Sequence, residues 1–209
     1  QGLEGIRFIQ LDLADNRNLE DLFAAEKFTK VIHLAAQAGV RYSIENPHAY
    51  IDANVKGFLD ILESCHTNNV KHLVYASSSS VYGMNDRVPF EEHHRTDSQV
   101  SLYAATKKAN EAMAHSYASV HGIPVTGLRF FTVYGPFGRP DMAISRFTDA
   151  ILRGETIDVY NNGELSRDFT YIDDIVEGIV NLMPLIPSGE VPYAIYNIGR
   201  GKAIALMDF

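Results

Sequence analysis

Tyr103 and Lys107 stand four residues apart, the spacing that stacks two side chains on one face of a helix. A neighbouring ammonium favours phenolate over phenol, so such a pair makes a tyrosine usable as a base near neutrality. Alone, the pair reads equally well as a surface helical contact. With 11 tyrosines in the chain, one Tyr-x-x-x-Lys arises by chance roughly a third of the time. The second chemical element is four consecutive hydroxyls, Ser77, Ser78, Ser79 and Ser80, directly after the run HLVYA. At the carboxyl end of a parallel strand, hydroxyls point into the crevice where ligands bind. A polar turn that simply closes the strand is the other reading.

To bring these groups together, the chain must alternate strands and helices, and its residue pattern does so. Short β-rich runs occur at 6–11 (IRFIQL), 31–34 (VIHL), 72–76 (HLVYA) and 125–131 (VTGLRFF). Between them, apolar residues recur at three- and four-residue spacing. One helix is expected over 47–67, opening on Pro47 and ending at Asn68-Asn69, and another over 101–121, stopped by Gly122 and Pro124. Strand–helix–strand repetition with apolar strands predicts an α/β fold, a doubly wound parallel sheet covered on both faces. After Gly135 the pattern changes to a loop (GPFGRPDM), a helix near 143–153, a short strand at 156–160, a turn at 161–163, the run RDFTYIDD, a helix over 173–183 and a strand at 194–198. Asp173-Asp174 suit the amino end of that helix. The expected organisation is a larger unit over 1–135 and a smaller lobe over 136–209, with some elements interleaved.

Composition narrows the partners. The chain has 209 residues with 18 Lys+Arg against 26 Asp+Glu, a formal charge of −8. Without a basic cluster, nucleic acid is not an expected partner. No apolar run approaches the roughly 18–20 residues that span a bilayer, so no membrane association is expected. The single cysteine, Cys65, precludes an intrachain disulfide and fits a reducing, cytoplasmic setting. With no second cysteine, and with His93-His94 alone in a polar stretch, no metal site is expected. The opening QGLEG has no initiator Met and the closing LMDF reads as the first turn of a helix, so the chain is expected to be an internal segment of a longer protein.

A strand-end hydroxyl followed about 25 residues later by Tyr-x-x-x-Lys is similar to the catalytic pattern of the short-chain dehydrogenase/reductase superfamily. The chain resembles the extended members of that superfamily, and within them the bacterial UDP-glucuronate 4-epimerases. The resemblance rests on LDLAD (11–15), VIHLAAQAGVRYS (31–43), NPHAYIDANVKG (46–57), YASSSSVYG (75–83), SLYAATKKANE (101–111), TGLRFFTVYGPFGRPDMA (126–143) and RDFTYIDDIV (167–176). It implies a Rossmann-like NAD-binding domain with a substrate-binding lobe. It also implies transient oxidation of a UDP-uronate at C4, then return of the hydride to the other face.

The resemblance implies roles for individual residues. Tyr103 would be the acid/base on the sugar 4-hydroxyl. Lys107 would depress its pKa and hold the nicotinamide ribose. Ser78 would share the hydrogen bond to the 4-hydroxyl, with Ser80 as a second candidate and Ser79 beside them at the substrate. Asp12 and Leu13 would flank the adenine, Leu34, Ala35, Ala36 and Gln37 would line the dinucleotide, and Asn54 would bond the backbone beneath it. Arg167 would meet the diphosphate, Tyr160 the uracil, and Thr132 with Arg139 the uronate carboxylate. A surface arginine remains the alternative for Arg139. Because the chain is net negative, an anionic substrate needs such locally placed cations. A homodimer through helices 47–67 and 101–121 is likewise implied; core packing is the alternative reading of their apolar residues.

The sequence departs from the family in two respects: the end of the substrate lobe is not expected in it, and no G-x-x-G-x-x-G precedes Ile6. The first strand–helix–strand, with the turn that cradles the pyrophosphate, is therefore not expected in this chain. Among rival activities, a 4,6-dehydratase needs an acid/base carboxylate just after the strand-end hydroxyl, where this chain reads Ser79-Ser80-Val81. A 4-keto-forming decarboxylase of UDP-glucuronate is the nearer alternative. A non-catalytic NAD-binding regulatory protein is a third, and one that would have no physical need for Ser78, Tyr103 and Lys107 together.

Overall fold

Two of the helices, one near the start of the chain and the longest one, begin on a capping side chain. The computed structural model describes residues 5–13 and 15–208, and of Tyr160 the backbone alone. Helix α1 (Asn16–Glu26) is capped by Asp15, whose side chain accepts from the Asn18 amide, and ends on Lys27 in the left-handed conformation. Strand β1 (Lys30–His33) and two single-turn helices, α2 (Tyr42–Glu45) and α3 (Pro47–Tyr50), follow. A π-helical turn, Ile51–Lys56, leads into α4 (Gly57–Thr67), and β2 (His72–Ala76) comes next. The long helix α5 (Leu102–His121) is capped by the Ser101 side chain and closed by Gly122 at φ +67°. The remaining elements are β3 (Val125–Phe130), β4 (Thr132–Tyr134), α6 (Ala143–Arg153), β5 (Ser166–Tyr171), α7 (Ile172–Leu182), β6 (Tyr193–Ile198) and β7 (Ala203–Ala205).

Four of these strands form one parallel sheet in the order β1-β2-β3-β6. Strand side chains alternate between faces, and the core divides accordingly. Leu73, Tyr75 and Val125 pack with Leu19, Phe23, Phe58, Leu62 and Ala114 of α1, α4 and α5. Val74 and Leu128 pack with Ile175 and Ile179 of α7. Gly127 sits opposite Tyr75 in the register, and a Cβ there would lie 2.6 Å from the Tyr75 hydroxyl. The buried tyrosine therefore requires glycine on its neighbour strand. After β3 the chain turns at Phe131 into a second sheet, in which β5 pairs parallel with β4 and antiparallel with β7. Among the described residues no helix is long and apolar enough to cross a membrane.

Three local expectations are corrected. Residues 6–11 form no ladder strand; Ile6 and Phe8 are well exposed. β-propensity makes a strand only where a neighbour supplies hydrogen bonds, and no described strand lies beside this run. The segment 47–67 is one helical course interrupted by the π turn rather than a uniform α-helix. Residues 156–160 are not a strand: the chain enters a tight turn at Tyr160–Gly163 with Asn161 and Asn162 both left-handed, and the ladder forms instead at Ser166–Tyr171.

His33, at the end of β1, is buried and stacked on Phe58 at 5.4 Å between ring centroids. Burial, and then the charge of Lys107, lower its pKa to about 4. The native state therefore holds a neutral imidazole that unfolding frees to bind a proton. Its contribution to stability is complete above about 6.5, the unfolded value, and is lost as the pH falls from there toward 4. Urea unfolding between pH 7 and 4 should register a loss of about 3 kcal/mol from this group, and His33→Phe should remove that part of the slope.

Candidate active site

The carboxyl end of β2 and the first turns of α5 meet at the backbone carbonyl of Ala76. Lys107 is buried, and its ammonium donates to the carbonyl of Ala76 at 2.9 Å. Two residues further on, Ser78 is in extended conformation (φ −158°, ψ 146°) and caps a 3₁₀ turn over Ser79–Tyr82, its Oγ accepting from the Ser80 amide at 3.1 Å. Ser78 also lies close enough to Tyr103, one helical turn before Lys107, for its hydroxyl to favour the phenolate. Of the two serines left open by the sequence, Ser78 is the one whose hydroxyl acts on the tyrosine, while Ser80 contributes its backbone amide to hold Ser78.

The electrostatics differ from the expected arrangement. Burial raises the Tyr103 pKa above its ordinary value; the hydrogen bond from Ser78 and the charge of Arg139 oppose it. Lys107 spends its proton on Ala76, and burial lowers its own pKa to about 8. Thus the groups that favour the phenolate among the described residues are Ser78 and Arg139, and Lys107 anchors the helix to the strand end. The sequence spacing placed Lys107 and Tyr103 on one helical face but could not show that a backbone carbonyl takes the ammonium.

Asn54 lies in the π turn and is fully buried. Its side chain accepts from the Gln37 amide at 2.8 Å, donates to the Gln37 carbonyl at 3.0 Å, and reaches Thr106 on α5 at 3.0 Å. Asn110 of α5 donates to the Asn54 carbonyl at 2.6 Å. A π turn adds a residue to the helical repeat, and such turns concentrate at functional sites. Here it aims one amide at both backbone groups of the segment leaving β1. Leu34, Ala35 and Ala36, which precede Gln37, are exposed there. Tyr50 donates to the carbonyl of Ala38 at 2.8 Å and to that of Gly39, and packs edge-on to Tyr103 with centroids 6.2 Å apart.

The remaining candidates are distributed unevenly. Arg139 forms a two-pronged pair with Asp141, through Nε at 3.0 Å to Oδ1 and through Nη2 to Oδ2. Its Nη2 lies 3.3 Å from where a Cβ would stand on Gly39. Thr132 is half-buried in β4. Arg167 is exposed in β5 and donates to the Ser166 carbonyl at 2.8 Å; neither residue is hydrogen-bonded to Tyr103 among the described residues. Asp12 is exposed and Leu13 half-buried, with the Leu13 Cβ 3.4 Å from the Cβ position of Gly57. The Tyr160 side chain, expected at the uracil, lies outside the described residues. His93-His94 is not isolated, contrary to expectation. Glu91 folds back on it, and the three residues offer ligand atoms within 4.8 Å of one another on an exposed turn.

Sequence reasoning missed a buried polar network beside the site. Glu111 takes two hydrogen bonds from Arg129 and one from Ser77. A signal was available: Tyr103, Lys107 and Glu111 stand at four-residue intervals on α5.

As a cofactor site, this end of the sheet fits the nicotinamide and ribose half of a dinucleotide. Small exposed residues leave β1, an amide grips the backbone after them, and a buried ammonium stands beside a hydroxyl and a phenol. No G-x-x-G-x-x-G run, the pattern of a pyrophosphate-cradling turn, occurs in the sequence.

Comparison with known proteins gives the family. Residues 1–199 match the NAD dependent epimerase/dehydratase family, and the chain belongs to that family. It is 50% identical to Protein CapI of Staphylococcus aureus and 47% identical to a probable UDP-glucuronate 4-epimerase of Rhizobium meliloti, in each case over 100% of this chain and 66% of the relative. Among solved structures, MoeE5 in complex with UDP-glucuronic acid and NAD superposes with a TM-score of 0.88 at 39% identity, covering 97% of this chain and 66% of that one. The chain therefore spans slightly less than two thirds of these proteins.

Selective ¹³C labelling should give Lys107 Cε a titration midpoint near 8 and Tyr103 Cζ a midpoint above 10. Ser78→Ala should move the Tyr103 midpoint further up and leave Lys107 in place. A Tyr103 midpoint unaffected by Ser78→Ala would remove the hydroxyl from the site's electrostatics.

Proposed function

We propose that this member of the NAD dependent epimerase/dehydratase family is the greater part of a nucleotide-sugar 4-epimerase whose substrate is a UDP-uronate, interconverting UDP-glucuronate and UDP-galacturonate. The observation that carries the reading is the convergence of Ser78, Tyr103 and Lys107 at one strand end, with the charge of Arg139 acting on the phenol. The likeness to the Rhizobium meliloti and MoeE5 proteins supports the choice of uronate.

In this reading Asn54 and Gln37, with Leu34, Ala35 and Ala36, form the floor for NAD, and Lys107 holds its ribose. Asp12 and Leu13 face the adenine. NAD, when bound, supplies the hydride acceptor at C4 and returns the hydride. Tyr103 takes the proton of the sugar 4-hydroxyl through its Oη, while Ser78 bonds the same sugar oxygen and steadies the phenolate. The 4-keto sugar turns its other face to the site, and Tyr103 gives the proton back. General acid–base catalysis of this kind contributes roughly a hundredfold to ten-thousandfold, and fixed positioning contributes more.

The uronate carboxylate needs its own restraint. Once C4 is a ketone, the C6 carboxylate is β to it and leaves as CO2 when the breaking bond aligns with the carbonyl π system. Arg139 is placed to hold it through the fork that Asp141 now occupies, with Thr132 and Ser79 or Ser80 as further donors. Arg167 meets the diphosphate and Tyr160 the uracil. The division at residue 135 into a cofactor unit and a substrate lobe, a homodimer through the helices of 47–67 and 101–121, and a cytoplasmic setting belong to the same proposal.

In the full-length protein, UDP-glucuronate should yield UDP-galacturonate without CO2. A pentose product with CO2 would instead identify a decarboxylase, and bound NAD with no turnover a regulatory protein. Tyr103→Phe should lower kcat by roughly a hundredfold to ten-thousandfold with little change in KM. Arg139→Ala should weaken uronate binding and release measurable pentose. Unchanged binding with no pentose would detach Arg139 from the carboxylate.

A further inference from the structure

Beneath the proposed catalytic groups lies an ion pair that the mechanism does not use. Arg129 on β3 and Glu111 on α5 are both buried. The guanidinium meets the carboxylate fork to fork, Nε to Oε1 at 2.8 Å and Nη2 to Oε2 at 2.9 Å. Lys108 also faces Glu111, at 3.6 Å. The pair reaches the serine turn at both ends. At the start, the Ser77 hydroxyl donates to Glu111 Oε1 at 2.7 Å. At the finish, Arg129 Nη1 donates to the Tyr82 hydroxyl at 3.0 Å, with the guanidinium 4.8 Å above the Tyr82 ring. The same Nη1 bonds the Glu92 carbonyl at 3.1 Å. Tyr82 donates onward to Asn197 of β6 at 2.6 Å and stacks on Phe90.

We propose that the Glu111–Arg129 pair positions the Ser78 hydroxyl against Tyr103 by clamping the turn that carries it at Ser77 and Tyr82. The backbone at Ser78 is extended, so the side chains of Ser77 and Ser78 point to opposite sides. Holding Ser77 down on Glu111 turns Ser78 up toward the phenol. On the helix, Glu111 lies one turn beyond Lys107, so the same carboxylate sets the height of α5 against the strand end. Buried ion pairs are seldom the most stable filling for a core, because apolar residues of similar volume do as well or better. What a bidentate fork provides is a fixed distance and direction, which a core position does not need and a hydroxyl aimed at a reacting oxygen does.

This proposal rests on the epimerase reading for its kinetic test, so a second readout is independent of turnover. In the full-length protein, Ser77→Ala removes one hydrogen bond and leaves the ion pair intact. It should lower kcat roughly tenfold, leave KM within about twofold, and move the ascending limb of the pH–rate profile to higher pH, because a displaced Ser78 no longer favours the phenolate. In a Glu111→Leu background, which has no acceptor for Ser77, Ser77→Ala should cost nothing further. Wild-type kcat and pH profile in Ser77→Ala, or full additivity of the two substitutions, would overturn the clamp, as would a lowered melting temperature alone. Acetylation of Lys107 by acetic anhydride, read by mass spectrometry, should be severalfold faster in folded Glu111→Gln than in wild type, with exposed lysines unchanged. If the wild-type protein turns over no UDP-sugar, the epimerase reading fails. Faster labelling of Lys107 then upholds the clamp, and unchanged labelling overturns it.

Discussion

A buried ammonium must find an acceptor, and Lys107 finds the carbonyl of Ala76. Desolvation opposes the charge strongly enough to bring its pKa to about 8, and the single backbone acceptor keeps it in place. That contact ties α5 to the carboxyl end of β2. Tyr103, one turn earlier on the helix, and Ser78, two residues later on the chain, are thereby brought to the same point from two different elements. The sheet supplies a fixed strand end, the helix supplies side chains at four-residue intervals, and the lysine holds the two in register.

The same helix carries a second layer. Asn110 and Thr106 engage Asn54 of the π turn, and Glu111 engages Arg129 of β3. Each polar residue buried on α5 thus meets a partner from a different element, and the helix acts as the common frame for the segments after β1, β2 and β3. The chain leaves β3 at Phe131 for the second sheet, which carries Thr132 and, through the following loop, Arg139 toward Tyr103 and Gly39. The net charge of −8 does not oppose an anionic ligand at this place, because the charge that acts there is the local one of Arg139.

Elements with strong terminal chemistry were legible from residues alone. Ser101 and Gly122 bound α5 as capping rules require, and the apolar runs at 72–76 and 125–130 became the two central strands. Residues 6–11 carry as much β-propensity as either, yet form no strand, because a ladder depends on a neighbour that the run itself does not specify. Residues 156–160 failed for a local reason: two asparagines in left-handed conformation turn the chain immediately afterwards. At the site, spacing put Tyr103 and Lys107 on one helical face, but did not show that the Ala76 carbonyl takes the ammonium.

Periodicity, capping residues and the order of motifs are properties of the string, and they determined the fold class, the α5 face bearing Tyr103 and Lys107, and membership of the NAD dependent epimerase/dehydratase family. Which serine meets the phenol, which acceptor takes the ammonium, and the joining of Ser77, Glu111, Arg129 and Tyr82 across as many as 52 positions of chain (129 − 77) were decided only in three dimensions. Hydrogen bonds and desolvation act over a few ångströms, and distance along the chain does not measure that separation.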